Sequence, residues 1–467
     1  MTTIIVENLT NVNEKNDLKS FENITSENYK INSDFKINKL NILSDLKNNN
    51  ILIEILLNPD VQKIIEESIS SIENDDKLNK NFDRQKYFEE LIEANYPNLP
   101  KTLVPLTTGI TLPGDCGRNA DDIPDWLDHD KFLKGQRFAM DNLFGISFAE
   151  MLSLFVLYSF EEGLKPIIMT QNSSKPYEAF KRFLSTGNRV RNWYTSDIWK
   201  KGTPGYNDIE IVRKMHGNVR NRLEKLTKNE IDNAAKIIPA LSKKTNITID
   251  DFRDCCEAPK IGQCPFTSDA YRLNKIKGLN QTEMSITHWA FIGFTISYPE
   301  YFGIHDAKDE DLDAFCHMWR GIGYRLGIDD KYNFCQGSLT EIRDRSNDLL
   351  EFWAKPLFRN VTPEWEHMMR CLIEGIGYYT PGLDYDTSLF YLCNILNCKM
   401  PRFQSSMSLL SYAKYRLTKT LFLYLFRIPG IRNYMNEKVI RNVDAANNYD
   451  ENKHAELQKK STKSMNT

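Results

Sequence analysis

The residues of this chain best suited to chemistry lie in Val212-Arg213-Lys214-Met215-His216-Gly217-Asn218-Val219-Arg220 and in the upstream pair Arg182 and Thr186. On a helix, Arg213, His216 and Arg220 stand at i−3, i and i+4 and share one face, and Arg182 and Thr186 share a face of another. One imidazole with cations a turn away on either side suits an iron porphyrin, whose metal takes a neutral imidazole and whose propionates need positive partners. The same spacing also fits a solvated basic helix carrying an incidental histidine, and spacing alone does not separate the two.

The elements that must position these residues read as helices. Helical periodicity runs over Lys131 to Phe160, Lys175 to Tyr194, Asn207 to Leu226, Gln281 to Tyr298, Asp309 to Leu326, Leu339 to Trp353 and Glu364 to Ile376. Strand alternation and hairpin dipeptides are scarce, so the fold class is all-α. Capping chemistry agrees: Asp309-Glu310-Asp311 puts acids in a first turn, and Thr362-Pro363-Glu364 supplies a cap hydroxyl, an N1 proline and an acid.

Residues 1 to 38 are Asn-, Lys- and Ser-rich and read as a disordered tail, and 39 to 123 as a helical preface ending in a Pro/Gly-rich connector from Pro100 to Pro124, which marks a domain boundary. The main helical domain spans 124 to 400, amphipathic helices 401 to 441, and a polar tail 442 to 467. No fixed-period repeat appears.

Composition narrows the partners. Sixty Lys+Arg against 63 Asp+Glu give a formal charge of −3, so no global field draws the chain to nucleic acid. The N-terminus lacks the basic and apolar regions of a secretory signal, which leads us to expect a cytoplasmic protein. No apolar run reaches the ~20 residues that cross a bilayer. The segment 403 to 427 could lie peripherally in a membrane interface, or simply pack on the protein's own core. Nine cysteines without a Cys-x-x-Cys pair fit neither a disulfide framework nor a zinc ribbon. Cys255-Cys256 with Cys264 is the one cluster; adjacent cysteines rarely ligate one metal, and these read as reduced thiols.

Among seven histidines, His129 lies in an acidic turn, His454 in the polar tail, His305 in a turn, and His367 beside Glu364 and Glu366. His288 and His317 suit core residues bonded to backbone carbonyls. His216 is left as the first candidate ligand. Zincin, di-iron, nucleophile-elbow, Walker and dinucleotide motifs are missing, and the glycines of Gly321 to Gly327 suit helix packing or a helix end.

Six blocks, taken in order, resemble the mpaB and latex-clearing-protein (rubber oxygenase) catalytic family. They are Pro124-Asp125-Trp126-Leu127-Asp128, Lys134-Gly135-Gln136, Arg182-Phe183-Leu184-Ser185-Thr186, Val212 to Arg220, Leu279-Asn280-Gln281-Thr282-Glu283 and Trp319 to Ile328. The resemblance covers about Pro124 to Pro381. It implies a globin-like helical core binding heme b, extended by extra N- and C-terminal helices. It further implies His216 as proximal iron ligand, Arg213 and Arg220 beside the cofactor, and Arg182 and Thr186 as the distal polar pair. The implied reaction is oxidative cleavage of a C=C bond in an isoprenoid or other unsaturated lipid by O₂. An apolar pocket for the olefin and an iron cofactor for oxygen chemistry are compatible with that.

Two departures bear on activity. Where rubber-cleaving members carry a lysine able to cap the iron, this chain has Ser185, and the family's distal carboxylate is hard to place, Glu161 and Glu162 being the nearest upstream acids. A non-catalytic heme or lipid carrier on the same fold is therefore the alternative expectation.

Overall fold

A computed structural model of the chain describes residues 86, 89–90, 92–93, 96–267 and 279–465. The expected N-terminal tail and most of the helical preface lie outside the described residues. Among these residues the secondary structure is helical, with a single isolated bridge, Pro113 to Asn280. The fold is all-α.

The single helix expected from Lys131 to Phe160 is two, α1 (His129–Asp141) and α2 (Leu143–Leu157), bent by 88°. The break has a local cause. The Asn142 side chain donates back to Phe138 O at 3.0 Å, competing with the backbone ladder. Asn436 then satisfies the groups freed by the bend, accepting from Phe144 N at 2.9 Å and donating to Asp141 O at 2.7 Å.

Helices α3 (Glu161–Met169), α4 (Pro176–Thr195), α5 (Pro204–Glu224), α6 (Lys228–Ala234) and α7 (Thr245–Cys255) follow, then α8 (Gln281–Ser297), α9 (Asp309–Arg325) and α10 (Leu339–Asp348). α4, α5, α8 and α9 match the spans read from periodicity to within a turn. The Leu339 to Trp353 span divides, since α10 gives way at Leu349 to a π-helical stretch ending at Ala354. α9 begins at Asp309 with its three acids in the first turn: Lys308 is the cap, and the Asp311 carboxylate accepts from its N–H at 3.0 Å. The last group is α11 (Pro363–Gly377), α12 (Tyr385–Ile395), α13 (Leu409–Leu423), α14 (Pro429–Asn447) and α15 (Glu451–Met465). Thr362 caps α11, its hydroxyl accepting from Trp365 N at 3.2 Å.

Close packing of α1 on α9 depends on Gly135, where a Cβ would stand 2.3 Å from Ala314 O. The residues flanking that glycine are fasteners. Lys134 pairs with Asp311 at 3.0 Å, and buried Gln136 donates to Trp193 O and Ser196 O at the end of α4. Trp319 of α9 is fully buried and stacks on Phe291 of α8 at 4.5 Å.

Two expectations about organisation change. The connector does not behave as a boundary: its short helical turns bury Leu103, Val104, Leu106 and Ile110 in the main core, and Gly114 N bonds Leu279 O at 2.8 Å. The polar tail from 442 is helical and docked. Leu457 and Ala446 bury beside Phe180 of α4, and Ser461 Oγ accepts from Tyr177 N at 3.1 Å. That N–H belongs to the first turn of α4, which its own cap residue leaves unbonded, so α15 completes α4.

Candidate functional site

Helices α2, α4, α5, α8 and α14 wall a cavity of about 1070 Å³. This is at the upper end of the ~300–1,000 Å³ usual for small-molecule sites. Most of the wall is apolar, from residues such as Leu154, Val190, Val212, Val219, Ile286 and Phe291.

His216 reaches this wall because it belongs to the apolar stripe of α5. Val212, His216, Val219 and Leu223 recur at intervals of four, three and four, which keeps one side of a helix facing inward. Val212, Met215, His216 and Val219 line the cavity. Burial pushes the imidazole pKa down to about 4, reinforced by the charges of Arg182 and Arg220, so the ring is neutral at physiological pH. Its Nδ1 is buried without a hydrogen-bond partner.

The other histidines differ. His288 bonds Trp319 O at 2.8 Å, His305 bonds Phe422 O at 2.8 Å, and His317 contacts Asp128 O at 3.1 Å. His367 accepts from Leu241 N and bonds Ser174 O, and His454 pairs with the Tyr177 hydroxyl. His129 is exposed at the start of α1. Of the histidines that are not exposed, His216 alone makes no hydrogen bond to the described protein.

Arg182, Ser185 and Thr186 of α4 meet His216 on the same cavity. Arg182 donates to Ser173 Oγ at 2.8 Å, with its guanidinium 5.5 Å from the Phe183 ring centre. The Thr186 hydroxyl donates to Arg182 O one turn back at 3.0 Å, leaving its lone pairs for an incoming donor. Ser185 accepts from Arg189 at 2.7 Å.

The two arginines flanking His216 are placed differently from the expectation that they adjoin a cofactor. Arg213 makes a bidentate ion pair with Asp115 at 2.7 and 2.6 Å and donates to Arg118 O at 2.7 Å. The physical reason is a 100° step: Arg213 follows Val212 by one residue, so it points off the apolar stripe toward the connector. Neither Arg213 nor Arg220 is part of the cavity wall, although Arg220 is near enough to act on His216.

Glu161 and Glu162 sit at the positive end of α3, and both are engaged by Lys165 of the same helix. Sequence reasoning passed over Glu150, the one charged residue within Leu143–Leu157. It lines the cavity, and burial pushes its carboxyl up to about 8 even though the Tyr194 hydroxyl donates to it at 2.9 Å. Its isolation in so apolar a helix was the available signal. Tyr158, also on the wall, has a buried hydroxyl with no partner, and burial raises its pKa.

The wall continues outward through Thr418, Leu421, Lys438 and Val443. On α13 beside them, Leu409, Leu410 and Leu417 are 92%, 67% and 65% exposed, an apolar face without cover among the described residues. Among those residues no single helix is long and apolar enough to cross a membrane.

The remaining blocks singled out in the sequence are structural. Asn280 and Glu283 form the capping box of α8, and the Gln281 side chain bridges Pro113 O, Gly327 O and Asp329 N. Trp126 carries the Arg320 guanidinium 4.0 Å from its ring centre. Gly323 lets His288 approach, and Gly327 ends α9 at φ +93°.

No family model, curated protein or solved structure matches the chain.

Proposed function

We propose that this chain is a b-type heme-dependent oxygenase of the mpaB and latex-clearing type, cleaving a C=C bond of an isoprenoid or other unsaturated lipid with O₂. The observation that carries the reading is His216: a neutral imidazole with no protein partner, on a large apolar cavity it shares with Arg182. An imidazole ligand must offer a free lone pair; His288 lines the same cavity with an unpartnered Nδ1, but its Nε2 is fixed to Trp319 O, whereas His216 has no ring nitrogen bonded to the described protein.

The residues present fit the cofactor. His216 would hold the iron, and Arg189, on the wall where it donates to Ser185 and approaches Asp208 at 3.6 Å, would join Arg220 as a cation for propionates now that Arg213 is engaged elsewhere. Heme would supply the oxygen activation and one-electron chemistry that side chains cannot. The protein's own part is positioning. The apolar wall holds an olefin and excludes water, and Arg182 and Thr186 orient polar oxygen and stabilise developing negative charge. Glu150, protonated at neutral pH, holds a proton on a carboxyl oxygen within the same cavity. The exposed face of α13, with Lys414 and Arg416 on the same helix, would rest on a lipid surface and bring a lipid substrate to the cavity rim.

The test is spectroscopic and then catalytic. Heme-reconstituted protein should show a Soret band lost or shifted in His216→Ala, and should consume O₂ and form carbonyl products with isoprenoid olefins. Failure to bind heme rejects the reading. The second reading, a heme or lipid carrier, is favoured by Ser185, whose hydroxyl is occupied by Arg189 and offers no basic group to the cavity. Heme binding without turnover across a panel of olefins would select it.

A further inference from the structure

Three thiols meet away from the cavity. Cys255 ends α7, and Cys256 caps it with extended dihedrals (φ −106°, ψ 134°), so the chain leaves the helix between them and both side chains turn to one side. Their Sγ atoms are 3.7 Å apart. The third thiol comes from far along the chain. Asn397 adopts φ 55°, and Cys398 N bonds Cys393 O at 2.8 Å, a Schellman-type turn that ends α12 and fixes Cys398 against Cys256 with Sγ atoms 3.8 Å apart. All three sulfurs lie within 4.8 Å of one another. Cys264, the partner that sequence proximity suggested, stands outside this group.

We propose that Cys255, Cys256 and Cys398 form a binding site for a thiophilic d¹⁰ cation of the Zn²⁺ class, with the fourth coordination position left to water or an exogenous ligand. Three features converge on it. Tetrahedral zinc with Zn–S distances of about 2.3 Å requires S···S edges of about 3.8 Å, which both measured edges meet without rearrangement. Thiolate ligands select soft or borderline ions over Mg²⁺ and Ca²⁺. The ion also lowers the charge of the group, because three thiolates and a divalent ion leave one negative charge, and Lys355, itself paired with Glu351, acts on Cys255 from close by. Cys256 and Cys398 are buried and hold two corners, while Cys255 is half-buried and gives an ion its way in.

The metal-free arrangement is consistent with this. The Sγ atoms of Cys255 and Cys256, and those of Cys256 and Cys398, already lie within sulfur hydrogen-bonding range of one another. A cation entering the group would displace the thiol protons to solvent.

The proposal predicts one Zn²⁺ per full-length chain, purified reduced and supplied with zinc, with protons released on binding at neutral pH. Zinc-edge X-ray absorption, which heme does not obscure, should count three sulfur neighbours. Cys255→Ser, at the half-exposed corner where folding tolerates it, should weaken zinc binding at least tenfold and remove one sulfur from the count. Cys256→Ser with Cys398→Ser should abolish it, and Cys264→Ser should leave it unchanged. Circular dichroism would confirm that each variant is folded. A sulfur count of one or none, zinc affinity unaltered in Cys255→Ser, or a Cys256–Cys398 disulfide formed in place of zinc uptake would overturn it.

Discussion

Helix α5 has two sides that treat polar groups in opposite ways. On the connector side most strong groups are engaged, although Glu210 Oε1 and the Arg325 guanidinium meet only in a 3.6 Å ion pair. Arg213 makes three hydrogen bonds, Arg118 donates to Tyr324 O and Ile328 O and lies 3.5 Å over the Tyr324 ring, and Gln281 ties the connector to the end of α9. Asp115 is half-buried, which pulls its pKa up, yet hydrogen bonds from Arg213 and Gly117 hold it below the usual range. On the cavity side His216 Nδ1 and Tyr158 Oη have no protein partner. An unpaired buried polar group costs about 1–3 kcal/mol, a cost that a molecule bound in the cavity would relieve at these two positions. The connector side is dominated by ion pairs and hydrogen bonds that hold the architecture, and the cavity side carries the groups that the proposed function assigns to a ligand.

The largest expected effect that would break this contrast is at His216. His216→Ala should lower heme affinity by at least 100-fold while moving the denaturation midpoint of the apoprotein little, because no protein hydrogen bond is lost. A strongly destabilised apoprotein would instead make His216 structural. Asp115→Ala should show the reverse pattern. It leaves the Arg213 guanidinium unpaired and partly buried, costing roughly 2–3 kcal/mol once solvent exposure of the pair is allowed for. Heme titrations on the folded fraction should be unchanged. Equal effects of both variants on stability and on heme would dissolve the distinction between the two sides.

The same contrast explains what the sequence could and could not reveal. Helices α4, α5, α8 and α9 were legible because periodicity and caps are local properties; His216 was singled out by its flanking arginines, neither of which lines the cavity, and not by the apolar stripe that carries it there. The partner of Arg213 was not, since Asp115 lies 98 residues upstream and only tertiary packing joins them. The break at Asn142 is of the same kind: an asparagine alone costs a helix little, and it takes Asn436, from the last third of the chain, to satisfy the groups a bend exposes. The docked α15 was missed because its pattern is polar, and the buried Leu457 and Ser461 that fasten it are too few to raise a periodic signal. Glu150 was overlooked for the opposite reason, since one carboxyl in an apolar run carries no spacing to read.

An effect of similar size, confined to high pH, would sharpen the contrast at Glu150. Its carboxyl has an ordinary value near 4.5 and stands at about 8 in the fold, so between these limits the folded chain holds a proton that the unfolded chain releases. Stability from this group is complete below about pH 4.5 and is lost as pH rises through 8. Glu150→Gln, which keeps the shape and can still bond Tyr194, should remove that loss, making the variant more stable than the parent at pH 9 by on the order of 2–4 kcal/mol and nearly equal to it at pH 4.5. Urea titrations at the two pH values measure the difference directly. A pH-independent gap would mean that Glu150 is ionised in the fold and belongs with the saturated, structural groups.

The smallest expected effect is at Tyr158. Its hydroxyl bonds nothing in the protein, so Tyr158→Phe should change apoprotein stability by less than about 0.5 kcal/mol, or raise it slightly, because only an unsatisfied group is deleted. Tyr194→Phe, which removes the hydroxyl that donates to Glu150, should cost about 1 kcal/mol at pH 9, where the carboxyl is ionised, and less at pH 5. If the two phenols behave alike, hydrogen-bond saturation does not distinguish ligand-facing from structural polar groups in this cavity. If only Tyr194 is costly to lose, then Tyr158 is a donor kept free for a bound molecule, and heme or substrate affinity is where its substitution should be felt.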